Sequence, residues 1–302
     1  MKPALIYLDT NLWNQLCDQR VDPLRMVETL ARKNACLALG NEVAYELSKT
    51  FIDSDSAGHS RGMTLFSYVH QYLLEQIPVV RVNLELVAAE MWALRQGAQR
   101  PEISLNSHDY EITCTEIERL SRGEVSDRIR EYIEKRVASA QAHRSGQISH
   151  LKSRPDLKQQ LIGIRPEHLL QWMEKETRSY IGREQLAWQL GEYFPEAPAD
   201  EMSEWARALL ESPLGRVSRA IVRRNLYYNW RCAHRESVSK DVYFDTNHVL
   251  NASYADAYAT KEPRQIEYAE LLLTSATEIA IYDGSEGVEQ WLSVLAEGLD
   301  SK

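Results

Sequence analysis

Apolar positions in the first 100 residues switch repeatedly between compact runs and helical spacing. Pro3 to Leu8 contains the run ALIYL, which stops at Asp9-Thr10-Asn11, after which Leu12, Leu16, Leu24, Val27 and Leu30 recur at roughly helical intervals. This predicts strand, turn, helix. A second compact run, ACLAL (35–39), ends at Gly40-Asn41, where Val43, Ala44, Leu47 and Phe51 begin another helical face. A helix over about Met63 to Gln76, a strand IPVVRV (77–82) and a helix from about Leu84 to Gln96 follow. Short apolar strands alternating with helices indicate βαβ units and a parallel sheet.

From 101 to 240 the pattern changes. Long charged stretches carry Leu, Ile, Trp and Tyr at helical intervals, as in Ile129, Ile133 and Val137, or Leu169, Trp172 and Met173. Prolines at 155, 166, 195, 198 and 213 divide this region into several helices. At 241 the earlier style returns. DVYFDTNHVLNASY reads as a helical or strand-to-helix segment, ADAYAT (255–260) as a strand, Arg264 to Ser275 as a helix and EIAIYDG (278–284) as a last strand. The expectation is an α/β domain built from 1–100 and 241–302, interrupted by an all-α insertion over 101–240.

Composition changes this picture little, and charge changes it more. The 302 residues are 44% hydrophobic and 26% charged, an ordinary globular mix. No apolar run reaches a membrane-spanning length, and the N-terminus meets Asp9 before a secretory apolar core could be completed, so a soluble cytoplasmic protein is expected. Cys17, Cys36, Cys114 and Cys232 stand singly, which excludes a zinc ribbon and gives no support to a disulfide framework. The net charge is −9, yet residues 101–240 carry 22 Lys/Arg against 21 Asp/Glu, so the acid lies in the two outer segments. Within 205–235, seven arginines face a single acid, Glu211.

The outer acids fall at informative places. Asp9 closes the first predicted strand, at the carboxyl edge where open α/β sheets bind ligands. Glu46 falls in the helix after the second strand, Asp245 in the helical segment after the insertion, and Asp256 and Glu262 flank the strand AYAT. Gathered carboxylates repel unless a cation neutralises them, and Mg²⁺ or Mn²⁺ takes oxygen ligands of this kind. Each residue also has a structural reading: Asp9 as a helix N-cap, Glu46 as a solvated helix residue, His248 as a core histidine and Glu262 as a helix opener.

The strand-ending YLDTN (7–11), the acid in NEVAYEL (41–47) and the block FDTNHVLNASYADAYATKE (244–262) together resemble the PIN domain, a metal-dependent nuclease fold. In that family a first Asp ends strand one and is followed by Ser, Thr or Asn; a Glu follows in the next helical segment; a third acid opens a helix leading into a strand that ends Thr-x-Asp. Asp9, Glu46, Asp245 and Thr260 fit, with Glu262 standing where the family has Asp. The resemblance covers about residues 1–100 and 241–284. It implies a PIN-like α/β/α sandwich and endonucleolytic phosphodiester hydrolysis, RNA being the commoner substrate. Asp9, Glu46, Asp245 and Glu262 would be catalytic and would hold Mg²⁺ or Mn²⁺, with Asp256 as a further metal ligand and Asn11, His248 and Thr260 in support. A toxin or host-defence role belongs to the same set of expectations.

An acidic site repels nucleic acid, so affinity should come from elsewhere. Arg216, Arg219 and Arg223 share one helical face, Arg224 adjoins them, and Tyr227, Tyr228 and Trp230 follow, a composition suited to phosphates and unpaired bases. The competing reading packs the aromatics into the helical core and pairs the arginines with acids. Two alternatives to the nuclease remain: a degenerate PIN-like scaffold that binds RNA or a protein partner without cutting, and an HAD-type phosphatase, which needs D-x-D where position 11 is Asn. A regulatory protein partner and self-association complete the partner expectations, and no membrane is among them.

Overall fold

The computed structural model describes residues 3–51, 56–234, 240–273 and 280–284. Five strands, β1 (Ala4–Leu8), β2 (Ala35–Gly40), β3 (Val79–Val80), β4 (Ala257–Thr260) and β5 (Ala280–Asp283), form one all-parallel sheet in the order β3-β2-β1-β4-β5. Buried on both faces, the inner strands are almost wholly apolar, as parallel strands must be. The third strand is shorter than IPVVRV suggested. Pro78 has no N–H to give, and beyond Val80 the chain leaves the ladder: Arg81 N–H donates to Ile103 O, and Val80 makes an isolated antiparallel bridge with Ser104.

Helices α1 (Thr10–Asp18) and α2 (Pro23–Arg32) connect β1 to β2. The single periodic run of the sequence is thus two helices, broken at Arg20, whose φ is 52°, and restarted by Asp22, whose carboxylate accepts from Arg25 N–H. Helices α3 (Asn41–Lys49) and α4 (Ser56–Leu74) connect β2 to β3, and α5 (Asn83–Gln96) follows. The middle of the chain supplies α6 (Ser107–Ser121), α7 (Asp127–Ser153), α8 (Pro155–Ile162), α9 (Leu169–Thr177), α10 (Tyr180–Tyr193), α11 (Ala199–Glu211) and α12 (Arg216–Ala233). Several of the breaks fall at prolines, with Pro155 in the first turn of α8 and Pro198 capping α11. Helix α13 (Lys240–Asn251) leads into β4, and α14 (Pro263–Leu273) crosses to β5.

Helix α12 packs against α5, α13 and α14 as well as against α7 to α11, and one hydrophobic cluster runs from the sheet through it. Its first turn is anchored from α5. The buried Glu90 carboxylate accepts the Val217 N–H at 2.6 Å, the Ser218 N–H at 3.1 Å and the Ser218 hydroxyl at 2.5 Å, with the Tyr254 hydroxyl at 2.7 Å. A negative group here satisfies orphan N–H donors at the positive end of the helix dipole. A second anchor is the ion pair between Glu42, buried in the first turn of α3, and Arg136 of α7.

Candidate active site at the carboxyl edge

The strand order reverses direction at β1. The chain moves outward to β2 and β3, then returns to β4 on the other side, so the carboxyl ends of β1 and β4 flank a topological switch point. Asp9 follows the first of these strands and Thr260-Lys261-Glu262 follows the second. The site is assembled there.

Asp9 is wholly buried and has two structural duties. Its Oδ1 caps α1 by accepting Leu12 N–H at 2.8 Å, and its Oδ2 accepts the Thr260 hydroxyl at 2.6 Å, across the β1–β4 seam. The same Thr260 oxygen accepts Glu262 N–H at 3.0 Å, and Asn11 Nδ2 donates to Glu262 Oε1 at 2.6 Å. Asn11 therefore orients a carboxylate directly. Burial raises the Asp9 pKa, an effect opposed by Thr260, the Leu12 N–H and the charge of His248, and reinforced by Glu262.

His248, on α13, is fully buried among these acids. Its Nε2 lies 3.1 Å from Glu46 Oε2 and 3.4 Å from the Thr10 hydroxyl, while its Nδ1 lies 3.2 Å from the Tyr7 hydroxyl. Burial acts to lower the His248 pKa, but the charge and hydrogen bond of Glu46, then the charges of Asp9 and Asp245, outweigh it and raise the value. An imidazolium so placed donates from both nitrogens. Glu46 shows the reciprocal effect: burial opposes its ionisation, yet His248, the Thr10 hydroxyl and Lys49 bring its pKa down to about 2. It is not the solvated helix residue that its isolated position suggested. Glu46 and Asp245 enter from α3 and α13, and both charges act on His248 and on the buried Tyr258.

Two expectations are corrected. Asp256 does not join the site: it precedes β4, at the amino end of the sheet, where its Oδ2 accepts Leu5 N–H at 2.7 Å. A parallel strand of this length separates it from Asp9 by roughly 13 Å, at about 3.3 Å per residue. Nor do the arginines of α12 form a nucleic-acid surface. Arg219, Arg223 and Arg224 are 7%, 3% and 4% exposed, because α12 lies between the sheet-bearing layer and the other helices. Arg219 donates to the carbonyls of Ser212 and Pro213, Arg223 to that of Leu272 at 3.4 Å, and Arg224 to Asn247 Oδ1 at 2.7 Å. Arg216, half-buried at the start of the helix, lies 5.6 Å from the Tyr254 ring. Tyr227, Tyr228 and Trp230 are core residues.

Sequence reasoning missed Tyr7, which reads as one more apolar position of β1, and Asp283, an exposed acid that ends β5 level with Thr260. Compared with protein-family models, curated proteins and solved structures, the chain matches none.

The donor set suits a hard divalent cation: carboxylate oxygens in excess around a single imidazole. The spacing does not yet make a cage. Among the described residues, no group of three or more His, Cys, Asp or Glu side chains is arranged to hold a metal ion. His248 instead takes the place of the counter-charge, and cation binding would have to draw Glu46 away from it.

Proposed function

We propose that the chain is a metal-dependent nuclease of PIN type acting on RNA. The observation that carries this reading is the charge imbalance at the switch point: Asp9, Glu46, Asp245 and Glu262 act on one another or on His248, which supplies a single buried positive charge. Such an excess of carboxylate is unfavourable without further cations. The order of elements supports it as well, with an acid ending β1, one in the helix after β2, one in the helix entering β4 and Thr-x-Glu leaving β4.

Asp9, Asp245, Glu46 and Glu262 would hold Mg²⁺ or Mn²⁺, which when bound lowers the pKa of water and offsets charge on a phosphoryl group. Thr260 and the Leu12 N–H fix both oxygens of Asp9, so that carboxylate is oriented before any substrate arrives. Asn11 does the same for Glu262. His248, steadied by Tyr7, supplies positive charge beside the position a phosphate would take. With the arginines of α12 turned inward, further positive charge at this edge comes from Lys49, which acts on Glu46, and from the exposed Lys261.

The test is Mg²⁺- or Mn²⁺-dependent cleavage of a mixed pool of RNA and single-stranded DNA, repeated with Asp9→Asn and Asp245→Asn. Cleavage that needs the metal and is lost in both variants supports the enzyme. Persistence of cutting in either variant removes these residues from the reaction. A second reading, a scaffold that binds without cutting, is favoured by the His248–Glu46 pair, which already satisfies Glu46. No cleavage by the wild-type chain with either metal would select it.

A further inference from the structure

A cavity of about 1510 Å³ lies among α5, α7, α8 and α10 to α13. Its lining carries six Lys and Arg side chains against two Glu, in a chain whose net charge is −9. This concentration of positive charge is enclosed by helices rather than spread over a face. At the floor, Arg224, Asn225 and Asn247 are 4%, 2% and 1% exposed.

These floor residues have unspent hydrogen-bonding capacity. Asn247 Oδ1 accepts from Asn83 Nδ2 at 3.0 Å and from Arg224 Nη1 at 2.7 Å, yet Asn247 Nδ2 has no partner. Arg224 Nε, Arg136 Nε, Asn225 Oδ1, Tyr132 OH and His143 Nε2 are likewise buried and unpartnered, and all belong to residues lining this one cavity. Arg136 has Glu42 as its counter-ion; among the described residues no carboxylate pairs with Arg224. A buried guanidinium without an anion is costly, and so is each orphaned donor. Burial, and then the charge of Arg224, hold His143 down to about 3, so it is neutral and can bond an uncharged group.

Donors outnumber acceptors at the floor, which fits an anion with several oxygens, and phosphate is the oxyanion that guanidinium groups grip best. The mouth is aromatic. Tyr180 and Trp188 are 68% and 61% exposed on the same lining, offering faces on which a planar ring can stack. The volume exceeds the roughly 300–1,000 Å³ of ordinary small-molecule sites, leaving room for a ligand with both parts.

We propose that this cavity binds a nucleotide-class anion, with phosphate on Arg224 and Asn247 at the floor and the aromatic base toward Trp188 at the mouth. The proposal does not depend on the nuclease reading. Asn247 does share α13 with Asp245 and His248, but two residues from Asp245 along a helix it faces the other side.

Titration calorimetry of the full chain tests it, with ribonucleoside mono-, di- and triphosphates, a dinucleotide, free nucleosides and inorganic phosphate as probes. At least one nucleotide should bind in the micromolar range, about tenfold or more tighter than phosphate or any nucleoside. Arg224→Met should weaken that binding by about tenfold or more, and Trp188→Ala, an exposed change that leaves folding intact, by several-fold. Asp9→Asn should bind as the wild type does, whatever its effect on cleavage. Absence of nucleotide binding at about 1 mM overturns the proposal. So does binding that survives both Arg224→Met and Trp188→Ala, binding lost in Asp9→Asn, or binding of RNA oligomers alone. If Arg224→Met fails to fold, the Trp188→Ala result decides.

Discussion

His248 Nε2 on α13 lies 3.1 Å from Glu46 Oε2 on α3, joining helices some 200 residues apart in the chain through a histidine that has no access to solvent. Removing the carboxylate takes from the buried ring the nearest of its counter-charges. Glu46→Gln should therefore lower stability by about 2 kcal/mol near neutral pH, the cost of losing a hydrogen bond to a charged group. Because the folded pKa of Glu46 is depressed to about 2 from 4.5, its contribution is present above about 4.5 and fades as pH falls toward 2. Urea unfolding of wild type and variant at pH 7 and pH 3 checks both statements. The difference between them should shrink at the lower pH.

Glu90 has the opposite sign. Burial raises its pKa to about 7 against the opposing bonds of Ser218, Tyr254 and the Val217 N–H. A carboxyl with a raised folded pKa contributes most below its unfolded value of 4.5, and the contribution is lost as pH climbs from 4.5 to about 7. Glu90→Gln cannot titrate. The stability of the wild type relative to this variant should fall over that interval and level off above it, as read by denaturant midpoints at half-unit steps. A flat difference would show that Glu90 ionises as freely in the fold as outside it.

The alternation of compact and helical apolar runs was enough to locate the strands of the parallel sheet, because buried parallel strands need unbroken apolar side chains and their connections need amphipathic helices. Asp9, Glu46, Asp245 and Glu262 were legible through their positions next to those elements. Asp256 was misread because a residue beside a strand can lie at either end of the sheet, and its neighbours do not say which. The arginines of α12 were misread for a different reason. A cluster of cations spaced on one helical face looks like a surface, but in the interior these side chains donate to carbonyls of the turn before α12 and of Leu272 and to the side chain of Asn247. The partners Glu90 and Val217, or Glu42 and Arg136, are joined across about a hundred residues and leave no local trace.

Gly40 ends β2 directly beneath the Tyr7 ring. A methyl group there would lie 2.2 Å from the Tyr7 hydroxyl oxygen and 2.4 Å from a ring carbon, so the ring must move. Tyr7 is fully buried and its hydroxyl steadies His248, which leaves it little room to do so. Gly40→Ala should cost about 1–3 kcal/mol, the usual penalty for overpacking. It should also reduce cleavage more than Gly97→Ala does, although Gly97 has the more restrictive backbone, because nothing lies within 4 Å of a Cβ there. Thermal melting and single-turnover cleavage of the two variants make the comparison.

Arg219 separates a packed arginine from a nucleic-acid contact. Its guanidinium holds the carbonyls of Ser212 and Pro213, the turn that delivers the chain into α12. Arg219→Met should destabilise the fold by about 1–2 kcal/mol, as carbonyls lose a charged donor. RNA affinity and its dependence on salt should not change, since no phosphate contact is removed. A reduced salt dependence in filter binding would return Arg219 to the nucleic-acid surface.

Divalent cations provide the sharpest test of the carboxyl edge, because binding to the folded chain alone must raise its stability whether or not substrate is cut. A cation held by Asp9 and Asp245, whose charges both act on His248, must compete with His248 for Glu46. At a metal concentration of about a hundred times the dissociation constant, linkage predicts a gain of about 2.7 kcal/mol. For a chain of this size that is a rise in Tm of roughly 4 °C. Mn²⁺ should produce such a rise in the wild type, EDTA should reverse it, and neither Asp9→Asn nor Asp245→Asn should show it. Asp256→Asn should respond like the wild type, because that carboxylate lies at the other end of the sheet, bonded to Leu5 N–H. If the wild type does not respond, the carboxylates require no added cation, and the non-cutting scaffold becomes the better account of this edge.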